Sequence, residues 1–372
     1  MQKTLLITLE YPPIVGGIAS YTYNLAKHLP AERVVVYAPK VLGGSEFDQI
    51  NPWKTYRYKP YWSFLWPQWL RLFWQVRKIV KQEKIEQIYV NHVLPVGYVA
   101  YLIKKFWRVP YTLFLHGTDI NLATATSGKR KKFIRLCRSA FLVVANSQFM
   151  KDKLSSLVEN LPNIQVVYPC PGDEFFNPPV PAEIEHLRSQ LALNGKKVIL
   201  TVARLAEGKG YPHLIRLLPQ ILNKVPNLVW LIIGDGSKKK VIMEMVQKNN
   251  LQNVVRWLGQ MPYNELPKYY HLADLFVLLT HKDETAEEGW GTVFLEAGAT
   301  GLPVVAGRVG GVEEVVENLK NGLLVDIYQD MSVVSAVADL LREKEYALTM
   351  GETGRARATD EFRWEKQVKK LV

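Results

Sequence analysis

Short apolar runs alternate with helix-patterned stretches along the whole chain, and this alternation restricts the available folds more than any other feature. The runs fall at 4–9, 33–37, 87–90, 111–115, 141–145 and 165–167, then at 197–202, 228–233, 254–257, 275–278, 303–306 and 323–325. Parallel strands need a crossover between them, so the pattern predicts an α/β protein built from βαβ units. A chain of 372 residues is long for one core and suits two doubly wound, Rossmann-like domains facing each other across a cleft. The proline-rich segment FFNPPVPAEIEHL marks the joint and divides the chain into 1–175 and 176–359. Ligands are expected outside the carboxyl ends of the strands.

Composition excludes little: 48% hydrophobic and 22% charged residues are those of a soluble globular protein. No apolar run approaches the roughly eighteen residues of a membrane span. The opening MQKTLLITLEYPP reads as a first strand and not as a leader. Cys137 and Cys170 fit no metal spacing, and so few cysteines suit a reducing, cytoplasmic setting. The charge is informative. The whole net +12 lies before residue 176, where 23 Lys and Arg stand against 11 Asp and Glu. That half is expected to face something anionic: nucleic acid, anionic lipid or a phosphorylated substrate.

Residues 283–311, DETAEEGWGTVFLEAGATGLPVVAGRVGG, carry the chemistry of the second half. They read as an acidic loop, a short helix over 292–299, a stop at Gly301-Leu302-Pro303 and a buried strand. Glu288 sits in the loop and Glu296 two turns into the helix. Gly289 and Gly291 leave the backbone open at the helix start, where free N–H groups favour an anion. Two carboxylates beside such a site suit a ligand with many hydroxyls and a phosphate; a capped surface helix with solvated acids is the plainer alternative. Upstream, VARLAEGKGYPHLI sets Arg204 just past a strand and Lys209 before a helix, where the two cations could clamp a diphosphate.

In the first half, Gly16 and Gly17 lie between a strand and a helix, where backbone can approach phosphate. His116 ends a strand and is followed by glycine, so it points into the expected cleft. Residues 51–84 hold five of the ten tryptophans, with eight basic residues against one acid. A helix from Pro67 onward places Trp69, Leu72, Phe73, Val76 and Val80 on one face, flanked by Arg71, Arg77, Lys78 and Lys81. With Trp66 and Trp74 this is the pattern of an interfacial membrane helix, or of a core helix on the sheet. The run Lys129, Arg130, Lys131, Lys132, Arg135 and Arg138 is a solvated helix face or a second patch for lipid phosphate or an anionic acceptor.

Glu-x7-Glu followed by GLPVVA, a Gly-Gly pair and NGLLV resembles the retaining nucleotide-sugar glycosyltransferases of family 4. These have the GT-B fold and include phosphatidylinositol mannosyltransferase-like and polysaccharide-biosynthesis members. The resemblance covers nearly the whole chain and is most specific over 201–326. It implies that Arg204 and Lys209 hold the diphosphate, Glu288 the sugar hydroxyls, Glu296 the ribose and His116 the far side of the sugar. It also implies donor contacts at Gly16, Gly17, Gly289, Trp290, Gly291, Thr292 and Val293. The backbone around Gln260 and Met261 is the candidate for the base. The final segment 360–372 resembles the family's closing helix, which crosses back to the first domain.

The expected function is therefore retaining hexosyl transfer from a nucleotide diphosphate sugar, UDP-glucose or GDP-mannose, to a lipid-linked or polysaccharide acceptor. No Asp-x-Asp is present in the chain, so no metal or other cofactor is expected. The expected location is peripheral, on the inner face of the cytoplasmic membrane, with the basic aromatic residues toward an anionic surface and no nucleic-acid partner. A nucleotide-sugar epimerase on the same architecture would not need the Trp- and Arg-rich face. A nucleic-acid-binding protein would suit the pI near 9.4, although no motif for it is found. A non-catalytic partner subunit would not need Glu288, Glu296, Arg204 and Lys209 intact.

Overall fold

Among the described residues, thirteen strands form two wholly parallel sheets, each in its own unit. The structure is a computed structural model that describes residues 1–62, 66–161, 163–283 and 287–371, with backbone alone at 118, 119 and 122. Parts of the aromatic stretch (63–65) and of the acidic loop (284–286) therefore lie outside the described residues. One unit comprises residues 1–169 with the closing segment from Trp364; the other comprises residues 170–363.

The first unit contains β1 (Thr4–Ile7), β2 (Val34–Pro39), β3 (Lys54–Tyr58), β4 (Gln87–Val90), β5 (Tyr111–Leu115), β6 (Leu142–Ala145) and β7 (Ile164–Val166). Their order is β3-β2-β1-β4-β5-β6-β7. The chain runs outward from β1 to the β3 edge and returns to β4, so the switch point lies between β1 and β4. Strand β3 is not among the sequence expectations. Among the described residues it pairs with β2 alone, and its side chains are exposed or half-buried, so no apolar run announces it. Its Arg57 makes two hydrogen bonds to the Asp48 carboxylate, at 2.8 and 2.9 Å.

The helix Leu70–Gln82 buries Leu72, Phe73, Val76, Ile79 and Val80, and Trp69 meets Tyr98 edge-on at 5.2 Å. Of the two readings of this helix, the core one holds for its apolar face. Trp53 is also buried, donating its indole N–H to the Tyr11 hydroxyl at 3.0 Å. A tryptophan packs where its N–H finds an acceptor. Among the described tryptophans of this stretch, Trp66 and Trp74 remain exposed, at 89% and 50%.

The second unit contains β8 (Lys197–Val202), β9 (Leu228–Ile233), β10 (Val255–Trp257), β11 (Leu275–Leu278), β12 (Val304–Gly307) and β13 (Leu323–Val325), in the order β10-β9-β8-β11-β12-β13. Its switch point lies between β8 and β11. The helix Thr292–Ala299 crosses the helix Lys344–Glu361 at two glycines, where a Cβ on Gly298 would lie 3.2 Å from the Gly354 carbonyl oxygen. The division between units falls after Pro169 and not at 175. The cause is Phe175, which is buried against Tyr263 and Tyr270, with ring centroids 5.2 and 5.4 Å away. The closing segment is fastened to the first unit: Tyr89 donates to the Leu371 carbonyl at 3.2 Å, and Gln367 accepts from the Tyr168 N–H at 3.1 Å. Among the described residues no helix is long and apolar enough to cross a membrane.

The two sides of the Leu70–Gln82 helix make separable predictions. Leu72→Ala is expected to lower the unfolding free energy of the first unit by about 2–4 kcal/mol, through lost burial and a cavity. Trp74→Ala is expected to change it by less than about 1 kcal/mol. Urea unfolding of both variants checks this; equal losses would place Trp74 in the core.

Candidate functional site

The loops at the carboxyl ends of β8, β11 and β12 build one constellation. Residues 203–210 lead from β8 into the helix Tyr211–Lys224. Gly210 has φ +73°, and a Cβ there would come within 2.1 Å of the Leu279 carbonyl oxygen. The loop is thus pressed onto the end of β11, at a position only glycine can take. The His281 N–H donates to the Gly208 carbonyl at 3.0 Å and fastens it further. Lys209 is thereby carried to Glu288, and the two side chains form an ion pair, each about one-fifth exposed (20% and 21%). Arg204, in the same loop, is exposed.

The other half of the constellation is seated by Gly310 and Gly311, just past β12. A Cβ on either would strike backbone, the Glu288 carbonyl at 2.3 Å and the Gly289 carbonyl at 2.0 Å. The Gly311 N–H donates to the Glu288 carbonyl at 3.0 Å. Trp290 is buried with its ring edge-on to Phe362 at 5.5 Å. Gly291 precedes the helix Thr292–Ala299; Thr292 and Val293 lie half-buried in its first turn, and Glu296 is buried in its second.

The two carboxyls are driven in opposite directions. Burial by itself pushes Glu288 up, but the Lys209 charge and N–H, the Trp290 backbone N–H and the Arg204 charge outweigh it and hold Glu288 below its ordinary value. Glu288 is therefore a fixed anion. Burial pushes Glu296 up to about 7, against the hydroxyls of Tyr270 and Tyr263 and with help from the Glu174 charge. Tyr270 donates to Glu296 at 2.8 Å, and the Tyr263 hydroxyl accepts from the Gly172 N–H at 3.2 Å. Sequence reasoning passed over both tyrosines. They lie in the segment considered only for a base contact, and phenols at that spacing read as core.

Gln260 and Met261 follow β10, two strands from β8. The Gly234 N–H donates to the Gly259 carbonyl at 2.8 Å, tying the ends of β9 and β10 just before them. Gln260 is exposed and Met261 half-buried.

In the first unit, polar residues gather at the ends of β1, β4 and β5, around the switch point. Gly16 precedes the helix Gly17–Lys27, and Gly17 is exposed with nothing within 4 Å of an added Cβ. Packing does not demand glycine at Gly17; its absence of a side chain only keeps backbone accessible. His116 follows β5, with its ring edge-on to Tyr21 at 4.9 Å and its Nε2 3.1 Å from the Asn91 Oδ1. Burial, and then repulsion from His92, pushes His116 down to about 3; burial pushes His92 down to about 4. Both imidazoles are therefore neutral at physiological pH. The His92 Nε2 lies 3.3 Å from the Thr8 hydroxyl, which donates to the Glu10 carbonyl at 2.6 Å. Asn91 and His92 carried no signal that separates them from a strand end.

The basic residues form a layer. The helix Leu70–Gln82 packs on the helix Tyr98–Trp107, which packs on the helix Ser127–Ser139. Arg77, Lys78, Lys81, Lys129, Arg130, Lys131 and Lys132 are exposed, and Arg71 is half-buried. The Arg77 guanidinium stacks over Trp74 at 5.2 Å and Trp107 at 5.1 Å. A groove of about 370 Å³ runs between the first two helices, lined by Arg77, Val80, Lys81, Ile103, Trp107 and Val109. Lys105, Phe106, Trp107 and Arg108 add to the exposed face. They were missed because YVAYLIKKFW reads as an apolar helix.

Two family models match the chain: "Glycosyltransferase Family 4" over residues 15–170 and "Glycosyl transferases group 1" over residues 183–357. A GDP-mannose-dependent α-(1-6)-phosphatidylinositol monomannoside mannosyltransferase of Mycobacterium tuberculosis is 28% identical, over 100% of this chain and 97% of its own. An N-acetyl-α-D-glucosaminyl L-malate synthase of Bacillus anthracis is 25% identical, over 98% and 94%. Anabaena HepE, solved in complex with UDP and glucose, superposes with a TM-score of 0.85 at 23% identity, covering 100% of this chain and 98% of that one. It shares the GT-B fold.

Glu296 makes stability depend on pH in a defined sense. Its carboxyl is raised from 4.5 to about 7 in the folded chain. Between those values the folded protein holds a proton that the unfolded chain has released. Stability therefore falls as pH rises from about 4.5 to 7 and is level above, by about 3 kcal/mol in all. Glu296→Gln removes this term while keeping an acceptor for Tyr270. The variant is expected to gain on the parent between pH 5 and pH 8 in thermal unfolding; a difference that does not change with pH would show that the carboxyl is not raised.

Proposed function

The chain belongs to the family 4 glycosyltransferases, GT-B enzymes that use a nucleotide sugar, and on that premise we propose that it is a retaining, metal-independent hexosyltransferase. The donor is GDP-mannose or UDP-glucose, and the acceptor is lipid-linked or a growing polysaccharide. The GDP-mannose-dependent mycobacterial relative and its phosphatidylinositol monomannoside acceptor support the first of each pair.

The observation that carries the reading is the Lys209–Glu288 pair with Arg204 beside it, at the carboxyl ends of adjacent strands. In the reaction the bond between the sugar's anomeric carbon and the diphosphate breaks, and the leaving oxygens gain charge. Arg204 and Lys209 meet that charge in the preorganised manner that contributes most to such catalysis. The acceptor hydroxyl adds on the same face and its proton passes to the departing diphosphate. Glu288 accepts from sugar hydroxyls while remaining the counter-ion of Lys209. Glu296 accepts from the ribose diol, and His116 contacts the far side of the sugar. Gly289 to Val293 offer backbone N–H groups to the phosphate, Gly16 and Gly17 are donor contacts as well, and the backbone at Gln260 and Met261 meets the base.

Turnover tests this directly. With each of GDP-mannose and UDP-glucose, Arg204→Ala and Lys209→Ala are each expected to lower kcat by the equivalent of about 2–4 kcal/mol. A folded double variant with near-normal turnover would remove the diphosphate assignment.

The basic layer supports a place of action as well. We propose that the enzyme is peripheral on the inner face of the cytoplasmic membrane, docked through Trp66, Trp74, Arg77, Lys78, Lys81 and Lys129 to Lys132. The core takes the apolar side of the Leu70–Gln82 helix, so contact is made by its charged side and the exposed aromatics. Each basic residue at an anionic leaflet contributes about 1 kcal/mol, so several give reversible docking. Sedimentation with vesicles of graded anionic lipid is expected to show binding at low salt that Arg77, Lys78 and Lys81 to Glu abolishes. A native protein that ignores such vesicles would place the layer against a soluble acceptor.

A further inference from the structure

Glu296 is buried, at 4% exposure, in a setting that two phenols dominate. Tyr270 is fully buried and donates to the Glu296 Oε2 at 2.8 Å. The Tyr263 hydroxyl accepts from the Gly172 N–H at 3.2 Å, which leaves its own proton for the Glu296 carboxyl. Both rings are fixed by aromatic packing. Phe175 lies against each of them, and Tyr270 also stacks on Phe276 at 5.6 Å, with the two planes 11° apart. Packing accounts for the rings; the hydroxyls are there for the polar group that they face.

Burial drives this carboxyl toward its neutral form and raises it to about 7, the two phenols oppose that, and the Glu174 charge adds to it. Arg357, Lys268 and Glu313, on the elements packed against the Thr292–Ala299 helix, turn elsewhere. Arg357 donates to the Val315 and Glu314 carbonyls, Lys268 pairs with Glu265, and Glu313 pairs with Arg308. His271, beside Tyr270, is kept neutral by burial and then by the Arg355 charge. The phenol protons are thus what keep the carboxylate within reach of physiological pH. A carboxylate offers about four acceptor sites, so two phenol donors leave room for both hydroxyls of a vicinal diol.

We propose that Tyr270 and Tyr263 are positioning residues that hold the Glu296 carboxylate in place as the acceptor for a ribose diol. Their benefit rests on the reading that Glu296 meets the ribose of the donor. A nucleotide sugar then selects the charged form, because its diol donates to the carboxylate. The proton that the free protein holds passes to solvent as the donor binds. Donor affinity therefore falls as pH drops below about 7 and is level above about 8. Without the Tyr270 proton the carboxyl stays neutral to a higher pH, so the same profile moves upward.

The test is calorimetric titration of the full chain with GDP-mannose and with UDP-glucose, acceptor omitted, in buffers that differ in heat of ionisation. The native protein is expected to release about 0.7 proton on binding at pH 6.5 and about 0.1 at pH 8. Glu296→Gln is expected to release none. Tyr270→Phe is expected to move the release profile up by about one pH unit and to raise the donor KM at pH 7 about fivefold, with kcat within twofold. Tyr263→Phe is expected to act in the same sense. A native protein that binds donor without releasing a proton overturns the proposal, whether or not either variant folds. Folded Tyr270→Phe and Tyr263→Phe proteins whose profiles coincide with the native one overturn it as well. A donor carrying 2′-deoxyribose separates the two readings. If it binds as tightly as the ribose donor, the ribose contact of Glu296 is struck; a ribose preference with unmoved profiles strikes the phenols alone.

Discussion

The Lys209–Glu288 ion pair is the interaction on which the second unit's site depends. A carboxylate in that position is largely out of water, and without a partner it would take a proton. Lys209 keeps it charged, and Glu288 in turn fixes where the ammonium stands. The pair exists because two loops are pressed onto the same strand ends. Gly210 lets the first loop lie against Leu279, and Gly310 and Gly311 seat the second under Glu288 and Gly289. A methyl group at any of these points would collide with backbone, so the glycines are the structural condition for the charge arrangement.

The same loop and helix hold Glu296 in the opposite state. Seven residues separate the two acids, yet one lies beside two cations and the other among phenols. The result is a permanent anion for a permanent task and a carboxyl near neutrality whose charge a ligand's hydroxyls would favour. In the proposed enzyme the first acts with the diphosphate clamp and the second reads the ribose.

Strands buried on both faces announced themselves in the sequence, because a covered strand has no polar alternation to hide it. Strand β3 did not, because an edge strand such as KTYRY keeps its side chains half in water. Glu288, Glu296, Arg204 and Lys209 could be singled out as candidates from spacing and resemblance, but that Lys209 and Glu288 are each other's counter-ions could not. Tyr263, Tyr270 and Asn91 were illegible because their meaning lies in which group they face. The aromatic stretch misled for a related reason. Trp53 packs inside because its indole N–H reaches the Tyr11 hydroxyl, and Trp69 lies half-buried against the core beside Tyr98; composition shows neither partner.

The central claim is that protein cations, not a bridging ion, meet the charge of the departing diphosphate. The most direct measurement is hexosyl transfer by exhaustively metal-stripped enzyme in excess chelator. Turnover equal to that of untreated enzyme is expected. Loss of turnover that only magnesium or manganese restores would contradict it, because Lys209 and Arg204 would then be serving some other part of the site.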